Sequence, residues 1–405
     1  MAPLLPLDQI RAARQRAGDI VKVTPLDLST TFSTLCGKRI YLKLENLQKT
    51  GSFKVRGALN RLQRLDAAAR RRGVITASAG NHAQGVAYAA HMAGVPATVV
   101  MPETAAFSKV EATKAYGAQV VLAGRDYGEA DEAAQAWAAE HDATFVHAFD
   151  DPDVIAGQGT LGLELLEQLP EVDTVVVPVG GGGLLAGVLS ALRGAGSTAR
   201  LVGVQPSGAS ALKPSLETGA PVHLARVETI ADGLATRTIG EQPFAIMRNQ
   251  LDLALEVSDA ETAAAVLLLI ERAKTVAEGA GAVGLAACLA GRLPSASSNV
   301  VVIVSGGNID MNLLDRIINL GLVQEGRLFR FRTRLPDRPG ELQRLVGCIA
   351  QCRANIHQIR HERAHPGLAL TQAKVILELE TRGRDHILDI QQALAAGGFR
   401  IEPDE

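Results

Sequence analysis

Apolar and polar positions alternate in blocks along most of the chain, from residue 20 to about residue 320. Short β-branched runs predict strands at residues 73–78, 97–102, 118–124, 173–180, 200–205 and 298–307. Alanine-rich amphipathic segments between them, such as residues 82–94 and 127–141, predict helices. Strands that are apolar on both faces are typical of parallel sheets covered by helices. The spacing therefore predicts an α/β protein with two open parallel sheets, one near residues 50–150 and one near 155–320.

The pattern changes near residue 328, where single residues alternate instead of blocks. Residues 328–336 and 373–381 alternate between apolar and charged or polar side chains, as half-buried strands do. The segment between them places Leu342, Leu345, Val346 and Ile349 on one helical stripe. A further helix is predicted near 385–396, ending at two glycines, with a last strand after it. The order strand–helix–strand–strand–helix–strand predicts a separate ferredoxin-like unit.

Composition and charge exclude several functional classes. The chain has 405 residues, 41 Lys+Arg, 43 Asp+Glu and a formal net charge of −2, which gives no field for nucleic acid or an anionic membrane. No apolar run reaches about 18 residues, so neither a membrane span nor a signal peptide is predicted. The four cysteines form no evident disulfide framework, which favours a reducing, cytoplasmic compartment. We expect a soluble protein that acts on a small molecule.

Four consecutive glycines and a leucine follow the strand predicted at 173–180. The loop consists of Gly180, Gly181, Gly182, Gly183 and Leu184. Without Cβ atoms its backbone N–H groups can approach an anion closely, and the helix that follows adds its positive end. The favoured interpretation is a phosphate site. A Walker loop is disfavoured, because it would need Gly-Lys-Ser/Thr at the helix start, where Leu184 follows the glycines. A dinucleotide fingerprint fits loosely, but Gln205 ends the next strand where an acid is expected. A flexible turn is the remaining alternative.

Two further predicted strands end in small polar residues. The strand at 73–78 runs into a helix through Ser78, Ala79, Gly80, Asn81 and His82. Backbone N–H groups at such a helix start suit a carboxylate, although plain N-capping explains this segment equally well when it is taken alone. Ser305 ends the strand at 298–307, and its hydroxyl can bond one polar ligand atom. An ordinary turn residue is the alternative there.

Lys54 lies in the segment Gly-Ser-Phe-Lys-Val-Arg-Gly, an odd setting for a solvated lysine. A phosphate loop, a carboxylate loop, a hydroxyl and a lysine together match one cofactor, pyridoxal 5′-phosphate. That molecule has a phosphate, a ring nitrogen and an aldehyde that forms a Schiff base with lysine. Phe53 would lie against its ring. We hypothesise that Lys54 is the Schiff-base amine, with a lowered pKa; spacing alone would favour a solvated lysine.

Four motifs strengthen this hypothesis. The segments at 51–58, 78–85, 179–187 and 304–308 resemble, in order and spacing, those of the pyridoxal-phosphate-dependent serine/threonine dehydratases. The resemblance covers residues 10–320 and implies the tryptophan-synthase-β-like fold, fold type II. The C-terminal segment resembles an ACT domain, a small-molecule sensor. Together they imply a catalytic domain at 1–320 with a small subdomain of about 51–152 inserted in it, a linker at 321–327 and a regulatory domain at 328–405.

The same resemblance implies a role for each motif. Lys54 would hold the cofactor and take the Cα proton, the glycine loop would hold the phosphate, and Ser305 would face the pyridine nitrogen. The loop Ser78–His82 would bind the substrate carboxylate, with Asn81 near the ring hydroxyl. The implied reaction is β-elimination from threonine, and secondarily serine, to a 2-oxo acid and ammonia. Hydroxyaspartate as the substrate, β-replacement with an external nucleophile, and a non-catalytic amino-acid sensor stay open as alternatives.

Two departures from related serine racemases narrow the expected chemistry. Those proteins resemble this chain but have a serine where Ala79 stands, and they use it as a second proton donor. Racemisation is therefore disfavoured. The acids that bind a divalent cation in those relatives are replaced here by Gln205, Ala209 and Ala211, so no metal site of that kind is predicted. Glu278 is either a rim residue of the site or a plain helix-start carboxylate.

Regulation and assembly follow only from the resemblance. The usual amino-acid contact region of an ACT domain corresponds to Asp337, Arg338, Gly340 and Asn355. A branched-chain amino acid such as isoleucine or valine is the expected effector. Such domains usually pair between subunits, so a homodimer or homotetramer is expected, without a nucleic-acid or membrane partner.

Overall fold

The computed structural model describes residues 4–364 and 367–403. Contacts divide the chain into two compact units, Met1–Asp310 and Met311–Glu405. The strands in chain order are β1 (Leu26–Ser29), β2 (Arg39–Leu44), β3 (Val74–Ala77), β4 (Ala97–Met101), β5 (Gln119–Leu122), β6 (Thr144–Phe145), β7 (Thr174–Pro178), β8 (Arg200–Pro206), β9 (Leu253–Val257), β10 (Asn299–Val304), β11 (Leu328–Pro336), β12 (Asn355–Glu362), β13 (Gln372–Glu380) and β14 (Ile401–Pro403).

Helices separate most of these strands. They are α1 (Leu7–Ala17), α2 (Thr30–Cys36), α3 (Lys54–Gln63), α4 (Ala67–Arg72), α5 (Asn81–Ala93), α6 (Phe107–Ala115), α7 (Tyr127–Glu140), α8 (Pro152–Gln168), α9 (Gly183–Gly194), α10 (Leu212–Thr218), α11 (Glu241–Met247), α12 (Asp259–Ala273), α13 (Gly279–Leu289), α14 (Met311–Gln324), α15 (Glu341–Gln351) and α16 (Arg384–Ala396). Within the described ranges, none of them combines the length and apolar character that crossing a bilayer requires.

The first unit contains two sheets. The larger has the strand order β1-β2-β10-β7-β8-β9, and only its edge pair β1–β2 is antiparallel. The smaller has the order β5-β4-β3-β6 and is entirely parallel. Every residue of β7 and β10 is buried, as expected for strands with helices on both faces. The predicted α/β architecture with two parallel sheets is confirmed.

The larger sheet draws on residues that the hydrophobic pattern did not reveal. All six predicted strands are present, but β1, β2, β6 and β9 were missed. The larger sheet therefore extends beyond the predicted residues 155–320, because β2 pairs in parallel with β10. The strand β2 was hidden because it contains Arg39 and Lys43, although Lys43 is fully buried. The smaller sheet is formed entirely between β2 and β7, as an insertion between strands of the larger one.

A buried ionic cluster holds α3 against its neighbours in the first unit. The cluster consists of Lys43, Glu45, Arg56 and Glu164. The guanidinium of Arg56 donates to Glu45 at 2.7 and 2.8 Å and to Glu164 at 2.6 and 3.0 Å. The amine of Lys43 also donates to Glu164, at 2.6 Å. Two cations and two carboxylates thus neutralise each other in the interior. Although burial opposes it, Glu45 and Glu164 raise the pKa of Arg56.

The second unit has the ferredoxin-like order that its alternating pattern predicted. Its antiparallel sheet has the order β12-β13-β11-β14. Alternate residues of β11 and β13, including Phe331 and Leu377, form one core with Leu345 of α15 and Ile390 of α16. The helix α14 precedes this sheet and belongs to the same unit. Residues 321–324 of the predicted linker are the last turn of that helix.

Candidate active site

The turn before Lys54 is bound to the end of strand β10. The backbone N–H of Phe53 donates to the Ser305 carbonyl at 3.1 Å, and Gly307 donates to the Gly51 carbonyl at 2.9 Å. Between these bonds Ser52 and Gly306 form an antiparallel bridge. Two of the sequence motifs are therefore one structural element, which fixes Lys54 as the first residue of α3.

Among the residues that the structure describes, the amine of Lys54 has no carboxylate partner. Its Nζ donates to the Ala148 carbonyl oxygen at 2.9 Å and lies 5.2 Å from the centre of the Phe53 ring. Burial lowers the pKa of Lys54 to about 8, and the charge of Glu278 opposes that effect. A lysine with this pKa has a usable fraction of neutral, nucleophilic amine near neutral pH.

The glycine loop lies against a phenylalanine that the sequence did not single out. A Cβ at Gly181 would lie 2.3 Å from ring atoms of Phe149, and one at Gly183 would lie 3.0 Å from the Phe149 backbone. Gly182 has a φ of +93°, a left-handed conformation that favours glycine. The loop leads directly into α9, whose first N–H groups have no partner within the helix. The arrangement leaves backbone donors and a positive helix end for an anion.

The loop Ser78–His82 precedes α5, which begins at Asn81. The imidazole of His82 is 3 % exposed, and its Nε2 lies 3.0 Å from the Val146 carbonyl oxygen. A carbonyl only accepts, so Nε2 carries the hydrogen and Nδ1, without a partner among the described residues, is a bare acceptor. Burial, with a contribution from Lys54, lowers the pKa of His82 to about 3. The neutral ring cannot donate to a carboxylate from Nδ1, so the donors that remain in this loop are backbone N–H groups, the Ser78 hydroxyl and the side-chain amide of Asn81.

Glu278 forms part of a chain of side-chain hydrogen bonds beside this loop. Its Oε1 accepts from Asn81 Nδ2 at 2.5 Å, and Asn81 Oδ1 accepts from Asn308 Nδ2 at 2.7 Å. Asn308 Nδ2 also donates to the Thr50 carbonyl at 2.8 Å. Burial, followed by the charge of Asp232, raises the pKa of Glu278 to about 7. The chain of hydrogen bonds connects four segments that are separated in sequence.

All of these groups line one cavity of about 740 Å³ in the first unit. It contains Lys54 and Phe53, the loop Ser78–His82, the glycine loop Gly180–Leu184, Ser305 and Glu278. Ser305 is buried at its wall and donates to the Ala280 carbonyl at 3.2 Å. The cavity lies where β3, β7 and β10 end, the position at which open parallel sheets bind ligands. The structure therefore brings together every cofactor-site and substrate-site residue named from the sequence.

Sequence reasoning missed several other groups in this cavity. The Ala148 carbonyl, the Phe149 ring and His147 come from the segment after β6, which carries no motif. The imidazole of His147 accepts from two backbone N–H groups through Nδ1. Lys109 of α6 and Asp232 form an ion pair at the cavity wall. No pattern in the sequence indicated these contacts. The Lys109–Asp232 pair joins segments that are distant along the chain, and the short-range contacts of His147 lie in an irregular segment.

The four predicted regulatory residues do not meet within the second unit. Asp337, Arg338 and Gly340 follow β11, whose last residue pairs with Gln372 at the start of β13. Asn355 pairs with Glu380 at the other end of β13. Eight residues of extended strand correspond to about 26 Å. The two parts of the predicted contact region thus lie at opposite ends of the sheet.

In the segment predicted to lack a metal site, the side chain of Gln205 forms hydrogen bonds to the backbone. Gln205 donates to the Val179 carbonyl at 3.1 Å and accepts from Leu212 N–H at 2.6 Å. Its amide therefore connects β8 to two neighbouring segments. Across residues 4–364 and 367–403, no group of three His, Cys, Asp or Glu side chains is arranged to hold a metal ion.

Comparisons with known proteins agree with this geometry. Residues 18–306 match the family model described as pyridoxal-phosphate dependent enzyme. The chain is 45 % identical, over 98 % of its length and 99 % of the relative's, to the L-threonine ammonia-lyase of Thermotoga maritima. It is 35 % identical to the solved structure of processed threonine deaminase isoform 2 from Solanum lycopersicum, with a TM-score of 0.73, covering 79 % of this chain and 96 % of that one. It is also 36 % identical to maize serine racemase, with a TM-score of 0.75, covering 80 % and 100 %.

Proposed function

The chain belongs to the family of pyridoxal-phosphate dependent enzymes, and from that membership we propose that it is an L-threonine ammonia-lyase. The reaction converts threonine to 2-oxobutanoate and ammonia, and serine to pyruvate and ammonia. The observation that carries the proposal is the position of the Lys54 amine, which shares one cavity with the glycine loop and the loop Ser78–His82. Similarity over 98 % of the chain to a protein named for threonine supports the choice of substrate.

The residues of the cavity fit the cofactor. The glycine loop is a cradle that any side chain would fill, since a Cβ at Gly181 would overlap the Phe149 ring. Its backbone N–H groups, with those of Leu184, would hold the phosphate at the start of α9. Lys54 supplies the amine for the aldehyde, and Phe53 an aromatic face beside it. Ser305 supplies a neutral hydroxyl, which does not hold a ring nitrogen in its protonated form as a carboxylate would.

When bound, pyridoxal phosphate withdraws electrons from the substrate Cα and so makes its proton acidic. The chain's own residues must then bind the substrate and move that proton. The start of α5 directs backbone N–H groups to the substrate carboxylate, and Ser78 lies beside them. The substrate is thereby held by its charged end, with its side chain free for elimination.

Lys54 is the group best suited to take the Cα proton. Burial lowers its pKa to about 8, so the amine accepts and releases protons near neutral pH. His82 is unsuited, because its buried ring has a pKa of about 3 and its Nε2 is bound to Val146. His147 is held as an acceptor of two backbone hydrogens, and burial lowers its pKa too.

Ala79 favours elimination over racemisation. The chain is similar to a serine racemase as well as to threonine deaminases, so fold likeness alone does not separate the two activities. Racemisation needs a proton donor on the face of Cα opposite the lysine, and a methyl side chain at position 79 has none to give. We expect purified protein to form no D-serine from L-serine, and Ala79→Ser to introduce a detectable trace of it.

The function is tested by incubating purified protein with threonine, then serine, without any added nucleophile. Formation of 2-oxobutanoate and pyruvate supports the proposal, whereas a requirement for an external nucleophile would favour β-replacement. Hydroxyaspartate is assayed in parallel, and faster turnover of it would reassign the substrate. A protein that binds no cofactor would instead be a non-catalytic sensor.

The second unit is proposed to be an ACT-type sensor for an amino acid such as isoleucine or valine. The ferredoxin-like sheet order supports this assignment. Asp337, Arg338 and Gly340 lie at the opposite end of the sheet from Asn355, so a site containing both parts needs two copies of the unit. A homodimer or homotetramer is proposed for that reason. Calorimetric titration of the full-length protein with isoleucine and with valine tests effector binding. Measurement of the protein's molecular mass in solution, with each amino acid present, tests the oligomeric state.

A cytoplasmic location is proposed from the cysteines. All four of them are free thiols, which suits a reducing compartment.

A further inference from the structure

Asn81 lies in the middle of a hydrogen-bond chain whose two ends can only accept. At one end Asn308 Nδ2 donates to the Thr50 carbonyl, and at the other Asn81 Nδ2 donates to the Glu278 carboxylate. Neither a carbonyl nor an ionised carboxylate has a hydrogen to give. The direction of every bond in the chain is therefore fixed, with Asn81 Oδ1 accepting from Asn308.

This direction determines what Asn81 can do in the cavity. Its oxygen is used by Asn308, and one of its two amide hydrogens is used by Glu278. The remaining amide hydrogen makes Asn81 a donor toward a bound ligand. An oxygen that carries negative charge would suit it, and a protonated ring nitrogen would not.

Glu278 is held in place by the same strand end that supports Lys54. Its carboxylate is 4 % exposed, and a Cβ at Gly306 would lie 2.3 Å from its Oε1. Its backbone N–H donates to the Gly306 carbonyl at 3.1 Å. The carboxylate is thus held directly against Asn81 at the start of α13.

We propose that Glu278 is a positioning residue that fixes the amide of Asn81 as a hydrogen-bond donor to the cofactor's ring oxygen. The inference rests on the proposed cofactor-dependent function. Glu278 acts through Asn81 and does not itself take part in proton transfer. Glu278 and Asn81 are 197 residues apart in the sequence, so no local motif indicates their contact.

The ionisation of Glu278 makes this positioning dependent on pH. Burial, followed by the charge of Asp232, raises its pKa to about 7, whereas the hydrogen bond from Asn81 and the charges of Lys109 and Lys54 lower it. These three charged groups face it from the segment before α11, from α6 and from α3. Above its pKa the carboxylate accepts from Asn81, and below it the protonated acid is a weaker acceptor. Cofactor affinity should therefore fall as the pH drops through this range.

The test compares two substitutions in the full-length apoprotein, titrated with pyridoxal phosphate at about pH 8. In Glu278→Gln the amide oxygen still accepts from Asn81, so we expect affinity within about threefold of the parent protein. In Glu278→Leu no acceptor remains, and we expect binding to weaken about tenfold to a hundredfold. Equal affinity of the Leu variant and the parent protein, or equal loss in both variants, would overturn the proposal. Circular dichroism confirms that each variant is folded.

A second measurement isolates the pH effect from that of the lysine amine. Dissociation constants are measured between about pH 6 and 9 in Lys54→Ala and in Lys54→Ala with Glu278→Gln. We expect the first protein to lose up to about threefold more affinity on acidification than the second. Identical pH profiles would contradict the proposal. Failure of the unmodified protein to bind the cofactor at any pH would instead defeat the proposed function itself.

Discussion

The first three residues of α3 connect two polar regions that differ in exposure and in the presence of counter-ions. Lys54 is partly buried and lines the cavity, whereas Arg56 is 2 % exposed. At one end Lys54 faces a carbonyl oxygen and an aromatic ring, and burial lowers its pKa to about 8. Two residues on, Arg56 meets two carboxylates, which raise its pKa against the effect of burial. A buried cation with counter-ions is a fixed structural charge. Without them, burial lowers the pKa of a lysine and so favours its neutral form, which is nucleophilic.

Lys43 shows that burial alone does not make a lysine reactive. Burial lowers its pKa, as it does for Lys54, while Glu164 opposes the effect. All three of its hydrogens are used, by the Thr24 carbonyl at 2.8 Å, by Glu164 at 2.6 Å and by Gln168 at 2.9 Å. Lys43 is fully buried and does not line the cavity that contains Lys54, which completes the contrast.

The largest effect is expected from removing the reactive amine. We expect Lys54→Ala to lower 2-oxo acid formation at least about a thousandfold, because the amine supplies both the covalent attachment and the base. Thermal unfolding should remain close to that of the parent protein, since no ion pair is broken. Retention of the visible absorbance band, or labelling of another lysine by borohydride reduction, would contradict the assignment.

At the other end of the comparison, we expect Arg56→Met to lower stability without changing the groups that contact the amine of Lys54. It leaves Glu45 and Glu164 buried with only Lys43 between them, and we expect a loss of about 3–5 kcal/mol. Urea unfolding of the apoprotein measures it. Adding Glu45→Gln should restore much of the loss, because Lys43 and Glu164 then remain as a neutral pair. If the single variant is as stable as the combined one, the cluster is not a unit.

The glycine loop provides a test of intermediate size. Gly181→Ala places a methyl group within 2.3 Å of the Phe149 ring, and we expect cofactor affinity to weaken about tenfold to a hundredfold. Adding Phe149→Leu removes the flat ring and should recover part of it. Titration with pyridoxal phosphate measures both variants. If the second substitution gives no recovery, the contact with Phe149 is not what requires glycine.

The smallest effect is the pH dependence of Schiff-base formation. A lysine with a pKa of about 8 gains neutral amine as the pH rises toward that value. The rate of imine formation by the apoprotein should therefore increase between about pH 6 and 8 and level off above it. Stopped-flow absorbance follows the reaction. A rate still rising steeply above about pH 10 would indicate an amine with the ordinary pKa of lysine.

Much of the fold was predictable because blocks of apolar residues coincide with buried strands. The runs that became β7 and β10 are buried at every position, so their hydrophobicity carried the information. The strand β2 escaped because Lys43 resembles a surface residue until its partners on α8 are known. Charge in a sequence indicates exposure only when no counter-ion is brought to it by the fold.

The candidate site also contains both residues that the sequence predicted and residues that it did not. Lys54, the glycine loop and Ser305 were found because each belongs to a short motif at a strand or helix end. Phe149 was missed because an aromatic residue in an irregular segment gives no signal of its own. Glu278 could be placed only as one of two alternatives, because its partner Asn81 lies 197 residues away. Contacts across such separations depend on the sheet topology, which single-sequence patterns do not supply.

The bridge between Ser52 and Gly306 also has a consequence for biosynthesis. After Lys54 has been translated, the ribosome must add about 250 further residues before it reaches Gly306, the strand end that supports the turn before this lysine. Nascent chains that stop short of that point have the nucleophile but lack the wall that holds it. We therefore expect cofactor binding to require complete translation and folding of the first unit. Prematurely terminated fragments should not bind the cofactor.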